Sequence, residues 1–179
     1  MKYPAPFWVL LTAVTTTPIS FNAHANDSVL GEWAGESSII KVTRKDNALS
    51  AIIMALQDPV YLENEETGAA GQQRRDDRNP DETLQQRPLI GLDLLRDYLF
   101  EDKRWQGKIY DPESGNVYSS RMEVGRDGAL KMRGYIGVPM MGRTAVFEPL
   151  SSCTEHMREM LQRSGQTAET CTHNEEARH

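Results

Sequence analysis

From residue 38 onward, apolar and polar side chains alternate with a period of two over most of the chain, which is the periodicity of half-buried strands. Ser38 to Thr43 sets Ile40 and Val42 on one face. After a tight reversal at Lys45-Asp46-Asn47, Leu49 to Leu56 is apolar on both faces, the mark of a strand covered on both sides. Trp105 to Tyr110 places Trp105, Gly107 and Ile109 together, and Asp111 to Asn116 forms a turn. Val117 to Val124 then points Tyr118, Met122 and Val124 one way and Arg121 and Glu123 the other. Arg126-Asp127-Gly128 turns again. Ala129 to Ile136 sets Leu130, Met132 and Ile136 against Lys131 and Arg133, and Gly142 to Glu148 ends the series. Short alternating strands joined by tight turns predict an all-β antiparallel meander, either sandwich or barrel.

The alternation breaks in three places. Residues 62–87 are charged and polar with hardly an aliphatic side chain, and read as a long excursion from a single domain. Pro88 to Leu95 is then a short strand or an irregular packed segment. At the C-terminus, Ser152-x-x-Glu155 is a potential capping box for a helix running through Met157, Met160 and Leu161 to Gly165. At the N-terminus, Lys2, the apolar run Phe7 to Val14, Pro18 and Ala23-His24-Ala25 follow one another in the order of a cleavable signal peptide. The apolar run is too short to span a bilayer. The expected organisation is a signal peptide over 1–25, a β-domain over 26–150 and a helical tail over 151–179. Cleavage after Ala25 would leave an exported, periplasmic protein with no integral membrane segment.

Composition narrows the function classes. The 179 residues carry 20 Lys+Arg against 26 Asp+Glu, a net charge of −6, so there is no basic excess to neutralise phosphates. Nucleic acid and anionic membrane surfaces are therefore disfavoured as partners. The two cysteines, Cys153 and Cys171, favour one disulfide in an oxidising compartment, worth about 3 kcal/mol on the chain-entropy account. His24 falls in the signal peptide and His156, His173 and His179 in the tail, which leaves the β-domain without His or Cys. Ser-His and Cys-His nucleophiles and imidazole or thiolate zinc sites are thereby disfavoured, and no enzyme, metal or cofactor is expected. Asp76, Asp77, Asn79, Asp81 and Glu82 crowd one loop, but their spacing lacks the Gly and terminal Glu of a calcium-binding loop. The interleaved Arg74, Arg75 and Arg78 suit internal ion pairing better.

Two sets of residues carry a resemblance. Gly31-x-Trp33 ahead of the first strand is similar to the opening signature of lipocalins and related calycin barrels, where the Trp closes the narrow end. More specific is an ordered series: Asp77-Arg78-Asn79-Pro80-Asp81; Arg87-Pro88-Leu89-Ile90-Gly91-Leu92; Trp105 to Pro112 with Gly115 and Tyr118; Leu130 to Gly137; and Gly142-Arg143-Thr144. The series, spread over about Leu30 to Pro149, resembles the DUF2147 family of exported bacterial proteins. The resemblance implies an antiparallel lipocalin-like (calycin) β-barrel, here with a short C-terminal helix, and implies no assigned activity. The chain departs from the family in Phe147, where Trp is usual, in Lys108, where a second Gly is common, and in the Cys153–Cys171 tail.

A closed barrel of about eight strands has room for one small apolar ligand, such as a fatty acid or lipid fragment. The expected lining is Ile40, Val42, Met54, Leu56, Trp105, Ile109, Tyr118, Met122, Leu130 and Met132. Asn79, Asp81, Arg87, Tyr110, Arg133 and Tyr135 are the candidate polar contacts at the mouth, and Gly31 and Trp33 have a structural role. The alternative is a solid barrel acting in the envelope through a protein partner or a second copy of the chain, with the tail helix or the long loop as its contact surface; an enzyme using carboxylates with Tyr or Arg ranks last.

Overall fold

Strand pairing closes the chain on itself. The structure is a computed structural model that describes residues 27–65, 67–167 and 171. Eight strands, β1 (Gly31–Ala34), β2 (Ser38–Lys45), β3 (Ala48–Leu56), β4 (Leu95–Glu101), β5 (Arg104–Asp111), β6 (Asn116–Val124), β7 (Leu130–Tyr135) and β8 (Arg143–Pro149), are followed by one helix, α1 (Glu155–Arg163). Each strand pairs antiparallel with the next, and β8 returns to β1 through Trp33↔Pro149 and Ala34↔Glu148, giving a closed barrel without a free sheet edge. The expected signal peptide lies outside the described residues, as do His173 and His179.

One end of the barrel is closed by its own side chains. Trp33 is buried and donates its indole N–H to the Val29 carbonyl at 2.9 Å. Behind it Ile40, Val42, Leu49, Ala51, Tyr98, Trp105, Met122, Leu130 and Met132 form one continuous buried cluster, with Tyr98 and Ser120 hydrogen-bonded inside at 3.0 Å. Arg44 stacks 5.0 Å over the Trp105 ring and pairs with Asp27.

The two-sided apolarity of β3 has a concrete cause. Between β2 and β3 the pairing steps from Ile39↔Ala55 to Ile40↔Ile53, so Met54 is an extra residue that swaps the faces of the strand. Ile40 stays in the inner cluster, whereas Ile39, Ala55 and Met54 pack outside against Met157, Met160 and Leu161 of α1. Met54 therefore belongs to the outer layer, which corrects its expected place in the lining. The helix is capped two residues later than expected. Leu150–Ser152 forms a 3-10 turn, and Thr154 rather than Ser152 accepts from the Met157 N–H. The Cys153–Cys171 disulfide, with Cα atoms 5.1 Å apart, ties the segment after the helix back to its start.

Two segments differ from the alternation pattern. Residues 88–94 run irregularly beside β3, linked to it by the Ile52↔Asp93 bridge. β4 then begins at Leu95, where no strand is expected from the sequence. Its register to β5 shifts between Arg96 and Leu99, and Asp97 adopts a left-handed φ of 49°, so inner-facing residues are not two apart.

Candidate ligand site at the open end of the barrel

The excursion between β3 and β4 forms a strap over residues 57–65 and 67–94, held by local side-chain and backbone contacts. Arg74 clamps its first half, giving two N–H bonds to the Glu65 carboxylate at 2.8 and 2.6 Å and a third to the Asp58 carbonyl at 2.7 Å. The same contact holds the Glu65 carboxyl below the usual range. Tyr61 donates its hydroxyl to Asp77 at 2.8 Å and receives the Arg75 N–H at 3.1 Å, while the bridges Val60↔Gln73 and Arg75↔Pro88 fold the strap into two short hairpins.

Asp76 anchors the strap to the barrel. Its carboxylate is fully buried and accepts from the Tyr110 hydroxyl at 2.5 Å, the Asn79 amide at 2.7 Å, and Arg87 at 2.8 and 2.6 Å. Asn79 also reaches the Tyr110 oxygen at 3.1 Å and accepts the Asp81 N–H at 2.9 Å; Asp81 caps the 3-10 turn Glu82–Leu84. Burial, helped by the adjacent Asp76 carboxylate, pushes the Tyr110 phenol up to about 12. The Arg87 and Arg96 guanidiniums lie 5.7 and 5.6 Å from the Tyr110 ring centre.

Between the strap, the turn joining β1 to β2 and the turn joining β5 to β6 lies a cleft of about 590 Å³. Leu56 and Leu89 supply apolar wall; Tyr61, Arg74, Arg75, Asp77 and Arg78 line the strap side; Asp111 to Ser114 line the opposite side. The Ser114 hydroxyl is 3.2 Å from that of Tyr118, a half-buried residue paired with Ile109 on the inward face, which sets this wall of the cleft beside the upper interior of the barrel.

With this geometry in view, the comparisons with known proteins fall into place. The sequence profile of a family described as uncharacterised proteins conserved in bacteria, DUF2147, matches residues 31–148. The chain belongs to the DUF2147 family. The match runs from β1 to β8, so the barrel and its strap are family features, and α1 with its disulfide lies outside. Among solved structures the chain is similar to a protein of Helicobacter pylori described as belonging to the lipocalin family. The two share 16% identity and a TM-score of 0.54, over 81% of this chain and 96% of that one. That likeness supports the lipocalin-like fold. A search of curated protein sequences returns no match.

Within this DUF2147 barrel, the residues singled out from the sequence separate into groups. Trp105, Met122 and Met132 are all but fully buried and pack against one another, whereas Ile109 and Tyr118 stand half-buried nearer the open end. Asn79, Asp81, Arg87 and Tyr110 come together as the strap anchor. Arg133 and Tyr135 sit apart from them on β7, where Arg133 binds the carbonyls of Pro139 and Met140 at 2.7 and 3.1 Å and shapes the loop between β7 and β8. Of the expected lining residues Leu56 alone borders the cleft. Gly31, at φ 132°, introduces β1, and Trp33 closes the far end. The cleft residues Arg74, Arg75, Asp77 and Arg78 come from the segment read as an excursion, and Tyr61 immediately precedes it. Of the three arginines expected to form internal ion pairs, Arg74 does so with Glu65, whereas Arg75 and Arg78 bond Gln86 and the Glu113 carbonyl instead; Arg87 supplies a further pair with Asp76.

Proposed function

We propose that this protein is an exported, periplasmic binding barrel that takes a small amphipathic molecule, such as a fatty acid or lipid fragment, in the cleft at its open end. The observation that carries the reading is the cleft itself: about 590 Å³, within the roughly 300–1,000 Å³ range of small-molecule sites. Leu56 and Leu89 offer apolar wall to the ligand body, and Ile109 and Tyr118 would receive its end. Arg75 and Arg78 suit the polar head. Among the described residues Arg75 bonds Gln86 and Arg78 the Glu113 carbonyl at 2.9 Å, and neither pairs with a carboxylate. The β-domain carries no His or Cys, which favours binding over nucleophilic catalysis, and the disulfide supports an oxidising compartment.

The test is native mass spectrometry of the chain from Asn26 onward, purified from periplasm without detergent. A reproducible extra mass, released on denaturation and lost in Ser37→Trp, is the expected result. Ser37 is an exposed cleft residue, so the indole fills the cleft and leaves the core untouched. A bare mass for the native chain, with none acquired on adding oleate, would overturn the proposal.

A further inference from the structure

The loop joining β7 to β8 is the most apolar exposed segment among the described residues. Ile136 is 76% exposed, Val138 56%, Met140 91% and Met141 83%. The loop is held in shape. Arg133 spans it from below, donating to Pro139 and Met140 carbonyls and to the Thr144 hydroxyl at 2.9 Å, while Met141 and Gly142 close a 3-10 turn onto Val138 and Pro139. Two methionine side chains therefore project from a tip where the Val138, Pro139 and Met140 carbonyls are satisfied from beneath, which lowers the cost of seating it at the polar–apolar boundary of a headgroup layer.

Cations stand behind this tip. Arg121 lies directly opposite Arg133 on the outer face of the barrel; Lys108 is one strand further round on the same face, opposite Ser119; Arg143 adjoins the loop at the barrel rim but on the inward face, opposite Gly134. Among the described residues none of Lys108, Arg121 and Arg143 pairs with a carboxylate. Toward the other end of this face, Asp127 is paired with Lys131 at 2.8 Å, and Glu123 lies opposite that same lysine. A chain of net charge −6 thus gathers unpaired positive charge beside its most exposed apolar loop. The net charge argues against an anionic surface as partner only if charge is evenly spread, and here it is not.

We infer that the loop over residues 136–142 inserts into the headgroup layer of an anionic phospholipid bilayer, with Lys108 and Arg121 of the outer face against the lipid phosphates. Insertion of a few apolar side chains backed by basic residues gives reversible attachment, and each Lys or Arg near such a surface strengthens it severalfold. A second copy of the chain is the poorer occupant. The tip is convex, and a two-fold contact through this face would set Arg121 and Arg133 against their own counterparts. The inference does not rest on the ligand reading, since vesicle attachment and ligand uptake are measured separately.

The experiment is flotation of the chain from Asn26 onward with vesicles of phosphatidylglycerol in phosphatidylcholine, alongside phosphatidylcholine alone. Flotation with the anionic vesicles only, weakening as salt rises, is expected. Met140→Asp with Met141→Asp should lower vesicle affinity by about a hundredfold through lost insertion, and Arg121→Glu by roughly tenfold through charge alone. Both methionines are almost fully exposed, so circular dichroism should be unchanged. In an otherwise native chain, Met140→Trp should shift its fluorescence to the blue on adding anionic vesicles. The inference is overturned if the native chain does not float, if the double aspartate variant floats equally well, or if those substitutions instead dissolve a dimer seen by analytical ultracentrifugation.

Discussion

A buried carboxylate is tolerated at Asp76 because its two oxygens meet donors from three places along the chain: Asn79 beside it, Arg87 across the strap and Tyr110 on the barrel. Removing it strands a guanidinium, an amide and a hydroxyl at once, so Asp76→Ala is expected to cost about 3–5 kcal/mol. Urea unfolding measures that loss, and limited proteolysis should show faster cleavage within residues 57–94. An unchanged urea midpoint would mean that the strap holds without its anchor. Tyr110 adds a pH dependence. Its folded-state phenol sits near 12 against an ordinary value near 10, so the folded state keeps a proton that the unfolded state releases. Stability is full below about pH 10 and falls as pH rises toward 12, by about tenfold in the folding constant per pH unit from this group. Tyr110→Phe should flatten the part of the decline that Tyr98, also raised by burial, does not supply. Four members of this anchor, Asn79, Asp81, Arg87 and Tyr110, were visible as polar residues in a recognisable series. Asp76, its centre, was hidden among acidic neighbours, because sequence does not say which carboxylate in a run is buried.

At the scale of elements, strands with unbroken alternation were legible and β4 was not, for a definite reason. The bulge at Asp97 breaks the period of two, so Leu95 and Tyr98 face inward three residues apart. The bulge also accounts for Gly107 on the neighbouring strand. A Cβ there would stand 2.6 Å from the Asp97 carbonyl oxygen and 2.7 Å from the Tyr98 Cα, both backbone atoms. Gly107→Ala should therefore destabilise the barrel by roughly 1–3 kcal/mol, read by thermal unfolding; a neutral result would show that the two strands can part. The helix was legible from its Met and Leu spacing, and its docking face explains why β3 is apolar on both sides. Its cap was misplaced because Ser152 and Thr154 are both competent caps, and the 3-10 turn over Leu150–Ser152 uses up the first. The disulfide closes 18 residues around this helix, and replacing both cysteines by serine should lower stability by about 3 kcal/mol, measured by chemical unfolding.

For the whole molecule, periodicity identifies which residues face inward but not whether they meet. That depends on side-chain volumes summed across eight strands, which no local pattern reports. The barrel divides along its axis. From Trp33 up to the Tyr98–Ser120 hydrogen bond the buried side chains form one packed cluster, while above it Ile109 and Tyr118 are half-buried and the cleft begins. Two substitutions test this division in opposite directions. Met122→Trp enlarges a residue that is 1% exposed within the packed cluster, and is expected to cost roughly 1–3 kcal/mol by overpacking while leaving uptake in the cleft intact. Ser37→Trp should abolish uptake at unchanged stability. The pair is read by urea unfolding and by ligand titration on the same samples. If Met122→Trp instead removed ligand binding without loss of stability, the lower barrel would have room for a guest, and the site would lie among Trp105, Met122 and Met132 rather than beneath the strap.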